Sequence, residues 1–293
     1  MIGISVIIPC FNREAYISDA IESILSQEYD GIVEIIVADD GSTDRSIEIA
    51  ESYGHSVIVV RKPLDCELKG AGPTRNRAIE VSTQPFIAFL DSDDFYLPGH
   101  LERLSRALED HLDVGLVFDE SKTMINGRII RFPYPKWFIQ SPCSEFMLLE
   151  PLPTTNSMMI RREVLSQLQH PFDPDLVHSQ DIDFRLRISE KFPVMFVPGY
   201  GSVVREHINR SIVKNKGKKL FYYDMLMLKK AVSRYAYSKQ IVRSKKAKLY
   251  YFLSISEFKL NKFSAAFFYL SYSIFQSPSF YFFKIKEKFL KNE

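Results

Sequence analysis

Asp91, Asp93 and Asp94 place three carboxylates within four residues, directly after the apolar run Phe86-Ile87-Ala88-Phe89-Leu90. A run of that kind reads as a buried strand, so the acids stand at its end. Like charges held this close repel, and something must offset them. Hard oxygen ligands suit a divalent cation such as Mg²⁺ or Mn²⁺. In an extended segment residues i and i+2 face one side, which lets Asp91 and Asp93 approach one ion. A cation held there can also bind the phosphates of a ligand. The plainer reading is a solvated acidic loop in which Asp94 caps the next helix.

Two further polar clusters follow apolar runs. Pro9-Cys10-Phe11-Asn12 comes after Ile4–Ile8, a β-branched strand that Pro9 is expected to end. Asp39-Asp40-Gly41-Ser42-Thr43-Asp44 comes after the strand Val33–Ala38, and Ser42 or Thr43 is expected to cap a helix over Arg45–Tyr53. Apolar spacing predicts a first helix over Tyr16–Gln27. Val57–Val60 reads as a third strand, Gly70–Pro73 as a loop and Thr74–Val81 as a helix. Strands and helices alternating through short polar links predict an α/β fold, an open, mostly parallel sheet flanked by helices. In such sheets ligands bind beyond the carboxyl ends of the strands, where all three clusters sit. There is no Gly-x-Gly-x-x-Gly and no Gly-Lys-Ser/Thr loop, which argues against dinucleotide and P-loop sites.

The order and spacing of these stretches carry a resemblance. Val6–Asn12, Ala38–Asp44, Asn76 within Thr74–Ala78, and Leu90–Asp94 resemble the successive motifs of family 2 glycosyltransferases, over about the first 210 residues. The resemblance implies a GT-A fold with a mixed, mostly parallel sheet, and transfer of a sugar from a nucleotide-diphosphate donor, a UDP-sugar foremost, to an acceptor hydroxyl with inversion. It implies that Pro9, Cys10, Phe11, Asn12 and Asp39 hold the base. Arg75 would lie near the diphosphate, Asp91 and Ser92 near the ribose or metal, and Asp93 on the metal. A carboxylate such as Asp39 suits an imide N–H because it only accepts. Asp39 and Asp40 would also serve a turn with no ligand at all.

Downstream, Pro98–Asp110 is expected as a helix, Val114–Phe118 as a strand, and Asn126-Gly127 as a hairpin turn. Pro133–Pro153, rich in proline and aromatics, is expected outside the core as a loop on the acceptor side. Asn156–Ile160 reads as a strand and Arg162–Leu168 as a helix. Ser179–Ile188 reads as a helix begun by acids, as its dipole favours. Here the resemblance places the catalytic base on Asp181, with Gln180 standing where the family usually has Glu. His207, beside Arg205, resembles a later Arg-x-His segment and would be a third metal ligand or a diphosphate contact.

The bulk numbers set the frame. The chain has 293 residues, 46% of them hydrophobic, enough for a large core. Cys10, Cys66 and Cys143 show no paired spacing, which fits a reducing, cytoplasmic setting and no zinc site. No signal peptide is visible. The net charge of +2 conceals a division. Residues 205–293 hold 20 Lys and Arg against 5 Asp and Glu, while residues 1–204 hold 18 against 31. The expected organisation is a catalytic domain over 1–211 and a basic, aromatic helical region over 212–293. Within that region Lys214–Lys219 reads as a loop, and Leu220–Tyr237, Ala247–Leu260 and Phe263–Phe275 as helices. The last is too short to cross a bilayer. With Phe280–Phe283, Lys284, Lys286 and Lys288 it fits either peripheral contact with an anionic membrane at its inner face or packing, including a homodimer. The acceptor class stays open among glycans, lipid-linked glycans and proteins. Nucleic acid is not an expected partner. Rival readings are a sugar nucleotidyltransferase, which lacks its activating loop here, and a non-catalytic nucleotide-sugar binder, for which Gln180 leaves room.

Overall fold

The structure is a computed structural model that describes residues 1–140, 143–150, 152–207 and 217–278. The chain divides into two compact units, Met1–Met147 with Pro151–His207, and Leu148–Glu150 with Ile208–Glu293. The expected division at 211/212 falls outside the described residues, as do Lys284, Lys286 and Lys288.

The first unit is built on a nine-stranded sheet. Its parallel part runs β3 (Val57–Val60), β2 (Val33–Asp39), β1 (Ile4–Cys10) and β4 (Phe86–Phe89). β1 is buried along its whole length, as a central strand covered on both faces must be. Contrary to expectation it continues through Pro9, which pairs with Ala38. The reason lies in which way the missing donor points. The Ile7 carbonyl accepts from Leu90 on the β4 side, and that of Cys10 accepts from Asp40 on the β2 side. Pro9 shares the parity of Ile7, so its nitrogen faces the β4 side, where pairing has already ended at Ile7 and Phe89.

The remaining strands make the sheet mixed. β8 (Met158–Arg161) joins β4 antiparallel, β6 (Leu116–Ile125) joins β8, and β9 (Val194–Arg205) runs parallel to β6. β7 (Arg128–Arg131) folds back on β6 across Asn126-Gly127, both with positive φ, as the hairpin turn requires. β5 (Phe95–Tyr96) pairs antiparallel with the end of β9, Phe95 opposite Val203 and Tyr96 opposite Ser202.

Helices α1 (Ile17–Leu25), α2 (Ser46–Glu51), α3 (Ala71–Val81), α4 (His100–Asp110) and α7 (Gln180–Ser189) accompany these strands, with short α5 (Lys136–Gln140) and α6 (Ser144–Leu149) between β7 and β8. α1 buries Ile17, Ala20, Ile21 and Ile24, one stripe at helical spacing. α3 begins three residues earlier than expected and absorbs Pro73, which is tolerated in a first turn because that N–H has no partner there. α2 is not capped by Ser42 or Thr43. The Asp44 carboxylate takes the Ser46 N–H at 3.0 Å instead, and the Ser42 hydroxyl accepts from the Asn12 N–H. Arg162–Gln167 winds as a 3₁₀ helix rather than an α-helix.

The Pro133–Pro153 stretch corrects a second expectation. Tyr134, Phe138 and Met147 are buried, and the Phe138 ring meets Phe118 at 5.5 Å. Aromatic residues near prolines marked core here, not an exposed loop.

The second unit holds α8 (Lys218–Arg234), α9 (Lys239–Lys259) and α10 (Phe263–Gln276). Its buried residues include Leu228, Ala231, Ala247, Leu253 and Ala266. Ser238 caps α9 by accepting from the Ile241 N–H, and this starts the helix eight residues before the expected Ala247. Lys248 donates to the Leu149 carbonyl and to Glu150. Among the described residues no helix is long and apolar enough to cross a membrane.

Replacing Phe138 with Ala should cost about 3–5 kcal/mol by denaturant unfolding, the usual penalty for a buried aromatic. Phe132→Ala, at an exposed position just after β7, should change little. Burial also pushes the Cys10 thiol up to about 12. Brief alkylation of the native chain at pH 8 should therefore label Cys66 and Cys143, both partly exposed, and leave Cys10 unmodified by mass spectrometry.

Candidate active site

Three parallel strands end at one edge, and their loops are tied together by side chains from each. Asn12, with φ of 52°, accepts the Thr43 N–H at 2.8 Å through Oδ1, while its own N–H reaches Ser42. The Arg13 N–H donates to Ser46 Oγ at 2.6 Å. The Asp39 carboxylate closes its own turn, accepting the N–H groups of Gly41 and Ser42 at 3.0 Å. Asp40 accepts from the Gly70 N–H at 2.7 Å and meets Lys62, which fastens the start of α3. Pro9 and Cys10 are buried, Cys10 in the core, so they set the loop's position while exposed Phe11 and Asn12 form its surface.

The acidic stretch is balanced by the protein's own cations. Arg75, on α3 and buried, meets Asp91 Oδ1 at 2.5 Å with its guanidinium over the Phe172 ring. Asp93 Oδ2 lies 3.2 Å from Arg13 Nε and 2.9 Å from His207 Nε2. The offset that the sequence calls for is met in part by the protein's own arginines, with the His207 imidazole beside Asp93. Ser92 is buried beside them. Asp94 does not cap a helix. Its Oδ1 accepts the Arg205 N–H at 2.7 Å and its Oδ2 accepts from Asn156 Nδ2 at 2.6 Å.

The return of β9 explains how His207 arrives. β5 follows Asp94 at once and pairs with Ser202 and Val203, so two residues beyond that pairing Arg205 stands on the acidic loop and His207 follows. The crossing needs Gly201. A Cβ there would collide with His100 Nδ1 and the Asp119 carboxylate, a buried pair 2.9 Å apart that Arg103 also joins at 2.7 Å. His207 stacks on Tyr16 at 5.0 Å, and its Nδ1 is buried with no partner among the described residues.

Asp91, Asp93 and Asp94 each place an oxygen within 4.8 Å of the others. Asp94 is fully buried with both oxygens engaged, which makes it a staple from the loop after β4 to the turn before β8 and to β9. Asp91, its side chain 30% exposed, and Asp93 keep capacity for a ligand. Two hard carboxylates with an imidazole beside them are a donor set that fits Mg²⁺ or Mn²⁺.

α7 reaches this cluster through α3. The Asn76 side chain clamps the Phe172 backbone, donating at 2.7 Å and accepting at 2.8 Å. Phe172 stacks on Phe184 of α7 at 4.4 Å, and both meet Phe89 of β4 edge-on. Gln180 lies against Gly72, where a Cβ would strike its Oε1. Asp181, in the first turn of α7, is 38% exposed and 3.5 Å from Arg185, whose guanidinium is fully buried. Burial lowers the Arg185 pKa below its ordinary value, with Asp181 opposing.

Sequence reasoning missed Arg13 and Asn156 as parts of the site. Arg13 could have been found as the cation that follows the Pro9–Asn12 cluster. Asn156 has no local signal, since it reaches Asp91 and Asp94 only through the pairing of β8 with β4.

The description Glycosyl transferase family 2 matches residues 5–168, more than half of the chain. An uncharacterised glycosyltransferase of Methanocaldococcus jannaschii is 30% identical over 194 residues, 63% of this chain and 63% of its own. The Staphylococcus aureus poly(ribitol-phosphate) β-N-acetylglucosaminyltransferase TarS is 32% identical over 130 residues, 44% of this chain and 22% of its own. The matches thus span less than two thirds of these relatives' lengths. Among solved structures, TarS residues 1–349 in complex with UDP-GlcNAc superposes with a TM-score of 0.70 at 19% identity, over 88% of this chain and 75% of that one. The mannosyltransferase PcManGT of Pyrobaculum calidifontis, in complex with GDP-Man and Mn²⁺, gives 0.64 at 18% identity over 92% and 74%. These likenesses agree with the GT-A fold expected from the sequence. On its motifs and the extent of that match, the chain belongs to glycosyl transferase family 2.

Proposed function

We propose that residues 1–211 form a catalytic domain that transfers one sugar from a nucleotide-diphosphate donor to an acceptor hydroxyl with inversion. The observation that carries this reading is the tie from Asp91 through Arg75 and α3 to Gln180 and Asp181. It links the acidic strand end to a half-exposed carboxylate on another element.

In this reading Phe11, Asn12 and the Asp39 turn form the base-binding loop, with Pro9 and Cys10 behind it. UDP is the favoured nucleotide, supported by TarS, whose structure holds UDP-GlcNAc. Asp91 and Asp93 would hold a divalent cation, with His207 at its side and Ser92 and Arg75 toward the ribose and diphosphate. PcManGT, bound to GDP-Man and Mn²⁺, supports the cation. Such an ion neutralises charge as a diphosphate departs. Arg13 and Arg75 add fixed positive charge at the same place, where it is worth more than in water.

Asp181 takes the proton of the acceptor hydroxyl as its oxygen bonds to the anomeric carbon. The bond from that carbon to the diphosphate oxygen breaks with its electron pair going to the diphosphate. One displacement of this kind inverts the centre. Arg185 sits 3.5 Å from Asp181 and fixes that carboxylate at the start of α7. The acceptor is a glycan, lipid-linked glycan or protein hydroxyl, and cell-surface polysaccharide assembly is the setting this chemistry suits.

Asp181→Asn should lower kcat by about 10²–10⁴-fold while the donor's thermal shift is retained. Wild-type turnover by that variant would remove the assignment, and donor binding by the wild type without transfer to any acceptor would favour a binding protein instead. A UDP-sugar with Mn²⁺ at a hundredfold excess over Kd should raise the melting temperature by roughly 5–10 °C. In Asp93→Asn the part of that shift that needs Mn²⁺ should vanish. A full Mn²⁺ response in the variant would place the ion elsewhere.

A further inference from the structure

The face of α10 turned away from its own unit is unusual for a surface helix. α10 carries no charged residue, and Phe263, Phe267, Phe268, Ile274 and Phe275 are exposed on it, Phe267 at 72% and Phe275 at 79%. The end of α9 and the turn after it add exposed Phe258 and Leu260, and the Phe258 and Phe263 rings meet edge-on at 5.3 Å. Scattered apolar residues on a surface need no explanation, but this many exposed large apolar side chains on one uncharged helix do.

The charges around these side chains choose among partners. Lys259 and Lys262 are exposed in the same turn. Across α8, α9 and α10 every exposed charged residue is a lysine or an arginine, because Glu257 is buried and Asp224 is half-buried. A second copy docked on this face would bring a second positive surplus against the first. An anionic surface would be complementary to it. At 14 residues α10 is too short to cross a bilayer, which needs about 20, but a helix of this kind can lie in the interface with its apolar side among the acyl chains.

We infer that the exposed apolar face of α10, with Lys259 and Lys262 at its rim, docks onto an anionic lipid bilayer. The rings supply burial and the lysines supply attraction to the headgroups. This inference is independent of the proposed catalytic reading.

Flotation of the full chain with vesicles tests it, using phosphatidylglycerol mixed with phosphatidylcholine against phosphatidylcholine alone. The chain should float with the anionic vesicles, weakly with the neutral ones, and less as salt rises. The variant Phe267→Ser/Phe268→Ser/Phe275→Ser, altered only at exposed positions, should keep its circular dichroism spectrum and lose partitioning by about a hundredfold or more. Failure of the wild type to float overturns the inference, as does equal flotation by the variant. A dimer in light scattering that the triple variant converts to monomer, with no vesicle binding, would also overturn it and assign the face to a second copy.

Discussion

Asp93 stands between Arg13 and His207, and the site depends on the contacts that hold its acids in place. Three acids closing one strand would drive that edge apart if left alone. Arg75 answers Asp91, and Arg13 with His207 answers Asp93. The backbone of Arg205 and the Asn156 amide answer Asp94. Each partner comes from a different part of the chain, so the acidic loop is held by contacts from the ends of β1 and β9, from α3 and from the turn before β8. Fold and site are therefore specified by the same contacts. The arrangement also leaves Asp91 and Asp93 near cations that a metal or a diphosphate would have to share or displace. Ligand entry should rearrange those pairs rather than fill an inert cradle.

The division of labour among the aspartates follows from burial. Asp94 is sealed and engaged at both oxygens, which suits a staple. Asp39 spends its carboxylate on its own turn, which holds the loop rigid beside Asn12. Asp91 and Asp181 are the partly exposed ones, and each lies against a buried arginine. A carboxylate open to solvent and held by a fixed guanidinium is both placed and reachable, as contact with a ligand requires. Gly72 and Gln180 bring the two regions together through α3.

Much of this was legible in the residues. The parallel strands, the three loop clusters at their ends and the helix bearing Asp181 were readable because period and turn chemistry act locally. Pro9 misled, because whether a strand tolerates proline depends on which side its missing donor faces, and that is a property of pairing. Ser42 and Thr43 misled because Asp44 competes for the same helix start. Pro133–Pro153 misled because Phe138 is buried by Phe118, a partner 20 positions away whose contact no local pattern encodes. The roles of Asn156 and Gly201 were invisible for the same reason, since each is defined by strands that meet only in the folded sheet.

The most direct measurement is a crystal structure of the chain grown with UDP and Mn²⁺, read by anomalous scattering at the manganese edge. The account predicts one strong peak bridging Asp91, Asp93 and the diphosphate, with the Asp181 carboxylate facing the same space. A peak away from both aspartates, or a diphosphate bound on a surface that Asp181 does not face, would contradict it.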